Sequence, residues 1–416
     1  MDILRIATAG SVDDGKSTLI GRLLYDTRSI TTDKLEALEA SSKRKGLDFT
    51  DLSLLTDGLI AEREQGITID VAHIYFSTAN RKYIIADTPG HIEYTRNMIT
   101  GASNAEASIV LIDARNGVIE QTKRHLFISS LLRLPSVFVC VNKMDLVDFS
   151  EEVFASIKKE VLDIAVKIGF EGALYFIPIV AREGDNIVHA STRMNWYQES
   201  TLLERLEALP LHVKDHTLPL RLPVQLVIRP HSNEHHDFRG YAGKIESGRL
   251  QKGEEITILP SLKKSRIIRI LHASEEVESA VSGQSITIEL ESDVDVSRGN
   301  MIVSSNNQFA QVNAFTATLA WMDEQNLSAG KTYILQHGIH ATKAKITGLK
   351  NRLDITTMEV STAVQQFHLN DIGSVSIKTA RPIYADLYKN NPANGAFILI
   401  DEFSNNTVAV GFMESY

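Results

Sequence analysis

Cysteine and long apolar runs are what this sequence has least of. It has one cysteine, Cys140, so no disulfide can form within the chain, and its place in an apolar run indicates a buried side chain. Apolar runs such as 108–114 and 136–141 are far shorter than the ~20 residues of a membrane-spanning helix. The N-terminus lacks the basic and apolar segments of a cleaved signal. We therefore expect a cytoplasmic protein that does not enter a membrane.

The sequence also has fewer basic residues than acidic ones. The chain has 43 Lys and Arg against 52 Asp and Glu, a net charge of −9, which argues against a protein that holds nucleic acid on a broad basic surface. With 43% hydrophobic and 23% charged residues, the composition is that of a folded globular protein rather than a disordered one. Its 416 residues correspond to about three domains of ~150 residues each.

The pattern of the sequence changes once along the chain. Up to residue 209, short apolar runs alternate with helical periodicity, which is typical of a mostly parallel sheet with crossover helices. A proline-containing linker at 211–222 follows, and beyond it short alternating segments punctuated by glycine are typical of β-barrels. We predict an α/β domain in 1–215 and two all-β barrel domains in 220–308 and 309–416.

A glycine-rich segment lies between the first predicted strand and the first predicted helix. It reads Gly10-Ser11-Val12-Asp13-Asp14-Gly15-Lys16-Ser17 and matches the phosphate-loop pattern G-x-x-x-x-G-K-[ST]. Its backbone N–H groups can cradle phosphate oxygens, Lys16 can reach the β- and γ-phosphates, and the Ser17 hydroxyl can ligate Mg²⁺. The alternative, a tight glycine turn without a ligand, is weak because a chain of this length matches the pattern by chance on the order of once in a hundred cases.

Two further segments complete a prediction of a metal site. Asp87-Thr88-Pro89-Gly90 closes a predicted strand, where Asp87 can hold a metal-bound water and the Gly90 N–H can approach the γ-phosphate. Upstream, the Thr68 hydroxyl can complete the Mg²⁺ shell on a loop that is ordered only with GTP. Taken singly, these residues fit a simple turn and an ordinary strand. Together they predict that Ser17, Thr68 and Asp87 bind Mg²⁺.

The segment Asn142-Lys143-Met144-Asp145 ends another predicted strand and bears on which base is bound. One carboxylate, that of Asp145, can accept hydrogen bonds from both guanine N1–H and the 2-amino group, and adenine offers neither donor. Asn142 would contact the base and brace the phosphate loop, while the aliphatic stem of Lys143 would cover the base face. Standing alone, the segment would be interpreted as a helix cap. With the other motifs it predicts GTP rather than ATP.

This ordered set of motifs resembles a translation-factor-type GTPase. Within that superfamily, the segments 10–26, 94–98 and 237–243 are similar to those of the GTP-binding large subunit of bacterial sulfate adenylyltransferase. The resemblance spans nearly the whole chain. It implies GTP and Mg²⁺ as cofactors and a separate small catalytic subunit as partner, in a heterodimer or higher heteromer. That subunit joins ATP and sulfate into adenosine 5′-phosphosulfate and pyrophosphate.

The resemblance also implies roles for individual residues. His91 is similar to the histidine that positions the attacking water, so the implied catalytic residues are His91, Lys16 and Thr68. The implied nucleotide-binding residues are Gly10, Ser11, Val12, Asp13, Asp14, Gly15, Lys16, Ser17, Thr18, Asp87, Thr88, Pro89, Gly90, His91, Asn142, Lys143, Asp145, Val180, Ala181 and Arg182.

The chain departs from the family pattern at two places. Where the family usually reads Ser-Ala-Leu, this chain has Val180-Ala181-Arg182, so a hydroxyl is lost and the contact to guanine O6 is expected from the Ala181 N–H. Ile92-Glu93 stands where Glu-Gln commonly follows the histidine.

The sequence leaves two other functions open. An elongation factor that delivers aminoacyl-tRNA shares the three-domain plan, and a free-standing GTP-sensing regulator is a third reading. Asp14 and the segment 237–241 favour the sulfate adenylyltransferase subunit. The set His231, His235, His236 and Asp237 is a minor candidate for a metal site. Lys263, Lys264, Arg266 and Arg269 predict a solvated strand face.

Overall fold

The structure is a computed structural model that describes residues 2–44, 50–55, 71–89, 95–210, 216–229, 238–273, 275–306 and 309–416. One compact unit contains Met1–His212 together with Asp354–Glu359, and a second contains Val213–Leu353 and Val360–Tyr416. The boundaries of three domains drawn from the sequence stay a prediction. The fold class, an α/β domain followed by two all-β barrels, is confirmed.

A six-stranded sheet in the order β2-β3-β1-β4-β5-β6 forms the centre of the first unit. The pair β2–β3 is antiparallel and the other pairs are parallel. The strands are β1 (Ile3–Ala9), β2 (Ala72–Ser77), β3 (Lys82–Asp87), β4 (Ala107–Asp113), β5 (Ser136–Asn142) and β6 (Ala173–Pro178).

The helices of this unit lie between its strands in sequence, except the last, which follows β6. The α-helices span Lys16–Asp26, Thr32–Arg44, Thr95–Ala102, Glu120–Leu131, Glu151–Lys167 and Leu202–Ala208, and two 3₁₀ helices span Leu52–Leu55 and Met144–Val147. Among the described residues, no helix has the length and apolar character needed to cross a membrane.

The sheet positions the candidate site because its central strands are fixed on both faces. Every residue of β4 and β5 is buried, as expected for Val- and Ile-rich strands covered by helices on both sides. The parallel register sets Asp113 opposite Asn142, and Thr8 opposite Asp87. Polar residues that end three different strands therefore meet at one edge of the sheet.

The described part of the second unit has two large antiparallel sheets, each with its own hydrophobic core, and two short two-stranded sheets, which pair Arg249–Gln251 with Ser279–Val281 and Leu327–Ser328 with Gln366–Phe367. The first barrel is built from β7 (Leu222–Pro223), β8 (Leu226–Ile228), β9 (Gly240–Lys244), β10 (Arg249–Gln251), β11 (Glu255–Leu259), β12 (Lys263–His272), β13 (Glu275–Glu276), β14 (Ser279–Val281), β15 (Ser285–Leu290) and β16 (Met301–Ser304). Its main path is β7-β16-β11-β12-β15-β9-β8.

The second barrel closes on itself. The path β17-β26-β25-β19-β20-β24 returns to β17 through an additional β17–β24 pairing, so six strands form a closed ring. Its elements are β17 (Gln311–Trp321), β18 (Leu327–Ser328), β19 (Thr332–His337), β20 (His340–Leu349), β21 (Arg352–Asp354), β22 (Glu359–Ser361), β23 (Gln366–Phe367), β24 (Ile372–Tyr384), the helix Pro392–Gly395, β25 (Ala396–Ile400) and β26 (Thr407–Ser415).

The basic strand β12 carries a solvated face, in agreement with the sequence prediction. Lys264 pairs with Glu255 on the neighbouring strand at 2.9 Å, and Arg269 pairs with Glu289 at 3.1 Å. Because these cations already have carboxylate partners across the strands, they offer no concentrated positive patch.

One buried ion pair joins the two barrels. Arg221, which is 2% exposed, donates from Nη2 to Asp386 Oδ1 at 2.8 Å and from Nε to Oδ2 at 3.0 Å. The same carboxylate accepts from the side-chain amides of Asn391 and Asn394, each at 2.9 Å. Asn391 also donates to Ser247 Oγ at 2.9 Å, so the network contains residues of both barrels.

Removing the carboxylate of this pair should destabilise the second unit. We expect Asp386→Ala to lower its free energy of unfolding by about 3–5 kcal/mol, because the buried guanidinium loses its counter-ion. Urea unfolding of the full chain would measure the change. The exposed Glu324→Ala should stay within about 0.5 kcal/mol of wild type. Equal effects of the two substitutions on the free energy of unfolding would show that the Arg221–Asp386 ion pair does not stabilise the second unit.

Candidate functional site

A cavity of about 750 Å³ lies at the carboxyl edge of the parallel sheet. It unites the glycine-rich loop, the segment after β5 and the segment after β6, which are far apart in sequence. Lining residues that the sequence predicted are Ser11, Val12, Asp13, Gly15, Lys16, Ser17, Thr18, Asn142, Lys143, Asp145, Val180, Ala181 and Arg182. Lining residues that sequence analysis missed are Thr50, Asp51, Leu52, Ser53, Arg115 and Leu146.

Lys16 is held against its own loop. Its Nζ donates to the carbonyl of Gly10 at 2.8 Å and to that of Ser11 at 3.1 Å, and the residue is 7% exposed. Burial lowers the pKa of Lys16, and the nearby Asp87 and Asp14 carboxylates oppose this shift. The ammonium therefore sits in a poorly solvated position with neutral acceptors, where an anionic ligand would be a stronger partner.

Asn142 connects the two sides of the cavity. Its Nδ2 donates to the carbonyl of Asp14 at 2.7 Å, and its Oδ1 accepts from the Ala181 N–H at 2.9 Å. Gly15, with φ 96°, is required here because a Cβ at that position would lie 2.5 Å from Asn142 Nδ2. The Ala181 N–H expected to meet a guanine oxygen is thus already engaged, and it would have to share its hydrogen with the base.

The glycine-rich loop is braced from within as well. The Ser11 N–H donates to the Asp14 carboxylate, which is 4% exposed. Burial raises the pKa of Asp14, and the hydrogen bond from Ser11 acts against that shift. Asp14 therefore stabilises the loop through both its side chain and its carbonyl, which bonds to Asn142.

Two of the three residues predicted to bind a metal, Ser17 and Asp87, lie in the described part of the chain. Thr8 Oγ1 donates to Asp87 Oδ1 at 2.9 Å, the Thr88 hydroxyl donates to the Thr8 carbonyl, and Asp87 is 1% exposed. Thr88 and Pro89 are buried. The hydroxyl of Ser17 and the carboxylate of Asp87 are hard oxygen ligands, which suit Mg²⁺.

Several predicted residues lie outside the described part of the chain. These are Thr68, Gly90 and His91, together with the set His231, His235, His236 and Asp237. Their assignments stay predictions from the sequence.

A buried carboxylate that sequence analysis missed, Asp113, orders the base side of the cavity. It is 2% exposed, and it accepts from Arg115 Nη2 at 2.6 Å and pairs with Lys143 Nζ at 2.9 Å. Burial alone would raise the pKa of Asp113, but hydrogen bonds from Arg115 and Lys143 outweigh it and lower the pKa to about 2. The signal that could have found Asp113 is its place as the last residue of a buried strand, opposite Asn142.

Arg182 lies close to the carboxylate predicted to read the base. Its Nη2 is 3.8 Å from Asp145 Oδ2 and 3.0 Å from Glu183 Oε1. The backbone that carries it is held by Arg22, which donates from Nε to the Ala181 carbonyl at 3.4 Å and from Nη2 to the Arg182 carbonyl. The segment 180–182 is therefore tied to the first helix as well as to Asn142.

The fold and the site together define a class of protein. Residues 1–215 match the family described as the elongation factor Tu GTP binding domain, and residues 314–414 match the GTP-eEF1A C-terminal domain-like family. The chain is thus a GTP-binding protein of the translation-factor type.

Comparison with relatives identifies the family within that class. The chain is 46% identical to sulfate adenylyltransferase subunit 1 of Saccharophagus degradans, over 99% of this chain and 87% of the relative. It is 47% identical to sulfate adenylyltransferase subunit 1 of Bacteroides fragilis, over 99% of this chain and 86% of the relative. It is 46% identical to the bifunctional enzyme CysN/CysC of Mycobacterium tuberculosis, over 99% of this chain and 67% of the relative. The chain belongs to the sulfate adenylyltransferase subunit 1 family.

The charge of Asp113 should stabilise the first unit in a pH-dependent way. Because its folded pKa is depressed, its contribution is fully present above the ordinary carboxyl pKa near 3.9 and is lost as the pH falls toward about 2. We expect Asp113→Asn to lower the free energy of unfolding by about 2 kcal/mol at pH 7 and by less at pH 3.

Denaturant titrations at the two pH values would measure this difference. Asp163→Asn, which removes an exposed carboxylate from the helix Glu151–Lys167, is the matched control and should have little effect at either pH. If Asp113→Asn lowers the free energy of unfolding by the same amount at pH 3 and at pH 7, the proposed role of the charge is contradicted.

Proposed function

We propose that this chain is the GTP-hydrolysing subunit of a heteromeric sulfate adenylyltransferase. In this role it couples GTP hydrolysis to the formation of adenosine 5′-phosphosulfate and pyrophosphate from ATP and sulfate, which takes place on a small catalytic subunit. The observation that carries the proposal is the similarity to sulfate adenylyltransferase subunit 1 along 99% of the chain. The cavity that joins a phosphate loop to a guanine-type recognition segment supports it.

The phosphate side of the cavity is proposed to bind the β- and γ-phosphates. Lys16 would exchange the carbonyls of Gly10 and Ser11 for phosphate oxygens, a change from neutral to charge-assisted hydrogen bonds. Ser17, Asp87 and Thr68 are proposed to hold Mg²⁺, which when bound would neutralise charge on the phosphates. His91 is proposed to position the attacking water.

The base side of the cavity is proposed to select guanine. Asp145 would accept from the base N1–H and 2-amino groups, and Lys143, held by Asp113, would place its stem on the base face. Arg182 lies near the same carboxylate, so the incoming base has to share Asp145 with it or displace it.

Replacing the base-reading carboxylate should change nucleotide selectivity. We expect Asp145→Asn to lose at least about 100-fold in GTP affinity and to gain affinity for xanthosine triphosphate, whose 2-oxo group needs a donor. Competition binding with GTP, XTP and ATP would measure the shift.

A neighbouring aspartate provides the control for this substitution. Asp148→Asn changes an exposed aspartate three residues away, where φ is 52° and asparagine is tolerated, so GTP affinity should be retained. Equal binding of ATP and GTP by the wild type would overturn the assignment of Asp145.

An elongation factor that delivers aminoacyl-tRNA has the same fold but weaker support. Matches along 99% of the chain include proteins named sulfate adenylyltransferase subunit 1, and the net charge of −9 does not favour a broad nucleic-acid surface. We therefore propose a protein partner, the small catalytic subunit, in a heterodimer or higher heteromer. The cytoplasm is the proposed location because both GTP and ATP are supplied there.

Reconstitution with the small subunit would test the function. The mixed phosphate–sulfate anhydride is an unfavourable product, so coupling predicts that GTP raises the level of adenosine 5′-phosphosulfate reached and that the isolated chain makes none. GDP and adenosine 5′-phosphosulfate should be followed together with GTP, with a non-hydrolysable analogue, and without guanine nucleotide. The same product level in all three conditions would rule out coupling while leaving the GTP site intact.

A further inference from the structure

A second cavity, here called the inter-barrel cavity, lies within the second unit between turns of its two barrels. Its volume of about 610 Å³ falls within the ~300–1,000 Å³ of typical small-molecule sites. The first barrel contributes the turn at 298–301 and the end of β11, and the second contributes the β19–β20 turn at 337–340 and part of β24. Nothing in the proposed GTP chemistry uses this cavity.

Two arginines give the inter-barrel cavity an excess of positive charge. Arg298 lies on the wall from the first barrel and Arg381 on the wall from the second, and both are exposed. Within the described ranges of the chain, neither guanidinium forms an ion pair or a side-chain hydrogen bond, whereas Arg269 on β12 is paired. Glu246 is the one carboxylate among the described lining residues. In a chain of net charge −9, two unpaired arginines at one cavity are a local excess of positive charge that would favour an anionic ligand.

The two histidines of the β19–β20 turn add neutral polar groups to the same wall. His337 is 6% exposed and its Nε2 lies 2.9 Å from the Asn394 carbonyl, and burial lowers its pKa. Burial, followed by the charge of Arg381, also lowers the pKa of His340. Within the described part of the chain, the buried His340 Nε2 has no hydrogen-bond partner. Both rings are therefore neutral at pH 7, and the positive charge resides on the arginines.

The other lining residues suit an organic molecule rather than a simple inorganic ion. Apolar surface comes from both barrels, in Leu259, Pro260, Met301, Ile339 and Pro382. Gln225, Asn300 and Gln311 add amide groups that can donate and accept hydrogen bonds. Apolar walls with a few polar groups and a charged rim are typical of sites for amphipathic small molecules.

We propose that the inter-barrel cavity binds a small organic phosphate of nucleotide size. The phosphate would pair with Arg298 and Arg381, since planar guanidinium groups match phosphate oxygens. The organic body would lie on the apolar surface of Leu259, Met301 and Ile339. The inter-barrel cavity shares no lining residue with the cavity proposed to bind GTP, so the proposal does not rest on the proposed function.

Adenosine 5′-monophosphate is a suitable probe. Titration calorimetry on the full chain, with GDP and Mg²⁺ saturating so that the first cavity is filled, should detect binding of one AMP per chain. The paired substitution Arg298→Gln/Arg381→Gln should weaken AMP binding at least tenfold. Adenosine, which lacks the phosphate, should bind to the wild type at least tenfold more weakly than AMP does.

A matched variant controls for the loss of two positive charges. Arg249→Gln/Lys378→Gln removes one exposed cation from each barrel outside the cavity, and it should bind AMP like the wild type. Absence of AMP binding by the wild type at millimolar concentration would overturn the proposal, and so would equal weakening in the two variants. Inorganic phosphate that competes as well as AMP would contradict the role assigned to the apolar walls.

Discussion

The two hydrogen bonds of the Asn142 side chain hold together the two sides of the candidate cavity. Asn142 is the last residue of β5, whose residues are all buried between neighbouring parallel strands, so the position of its amide is fixed by the sheet. From there it donates to Asp14 in the phosphate loop and accepts from Ala181 in the base segment. An amide has both a donor and an acceptor at one end, which a carboxylate lacks. The close approach to Gly15 follows from the same arrangement, because any side chain there would push Asn142 away.

The charges around this amide are arranged for a ligand that brings negative charge. Lys16 is buried with carbonyl partners, and Asp113 holds Lys143 and Arg115 at the base side. Burying the charges of Lys16 and Asp113 is costly, and pairing offsets the cost for Asp113 more fully than for Lys16. The Asp113 carboxylate therefore already has its cationic partners in the free protein, whereas Lys16 would gain a stronger, anionic partner when phosphate binds. The unmet demand for negative charge lies on the phosphate side of the cavity.

Local sequence patterns predicted the fold class and most of the residues that line the candidate cavity. The phosphate loop and the segment after β5 could be found because each is a short pattern that follows an apolar strand. Asp113 was missed because its importance comes from the β4–β5 register, and the ion pair of Arg221 with Asp386 was missed because 165 residues separate the partners. The expected use of the Ala181 N–H also needed the structure, since only the folded chain shows that Asn142 engages it. Pairings between distant segments depend on topology, which residue patterns do not encode.

The arrangement of the cavity limits where GTP hydrolysis can be converted into work on a partner. A ligand shifts a conformational equilibrium only by its difference in affinity for the two states, and under the proposed assignment GTP and GDP would present the same guanine to Asp145 and Lys143. The base side therefore cannot distinguish them. The groups that can are those predicted to meet the γ-phosphate or its metal, which are Lys16, Ser17, Asp87 and Thr68. If hydrolysis drives formation of an unfavourable anhydride on another subunit, the coupling has to pass through the side of the cavity where these groups lie.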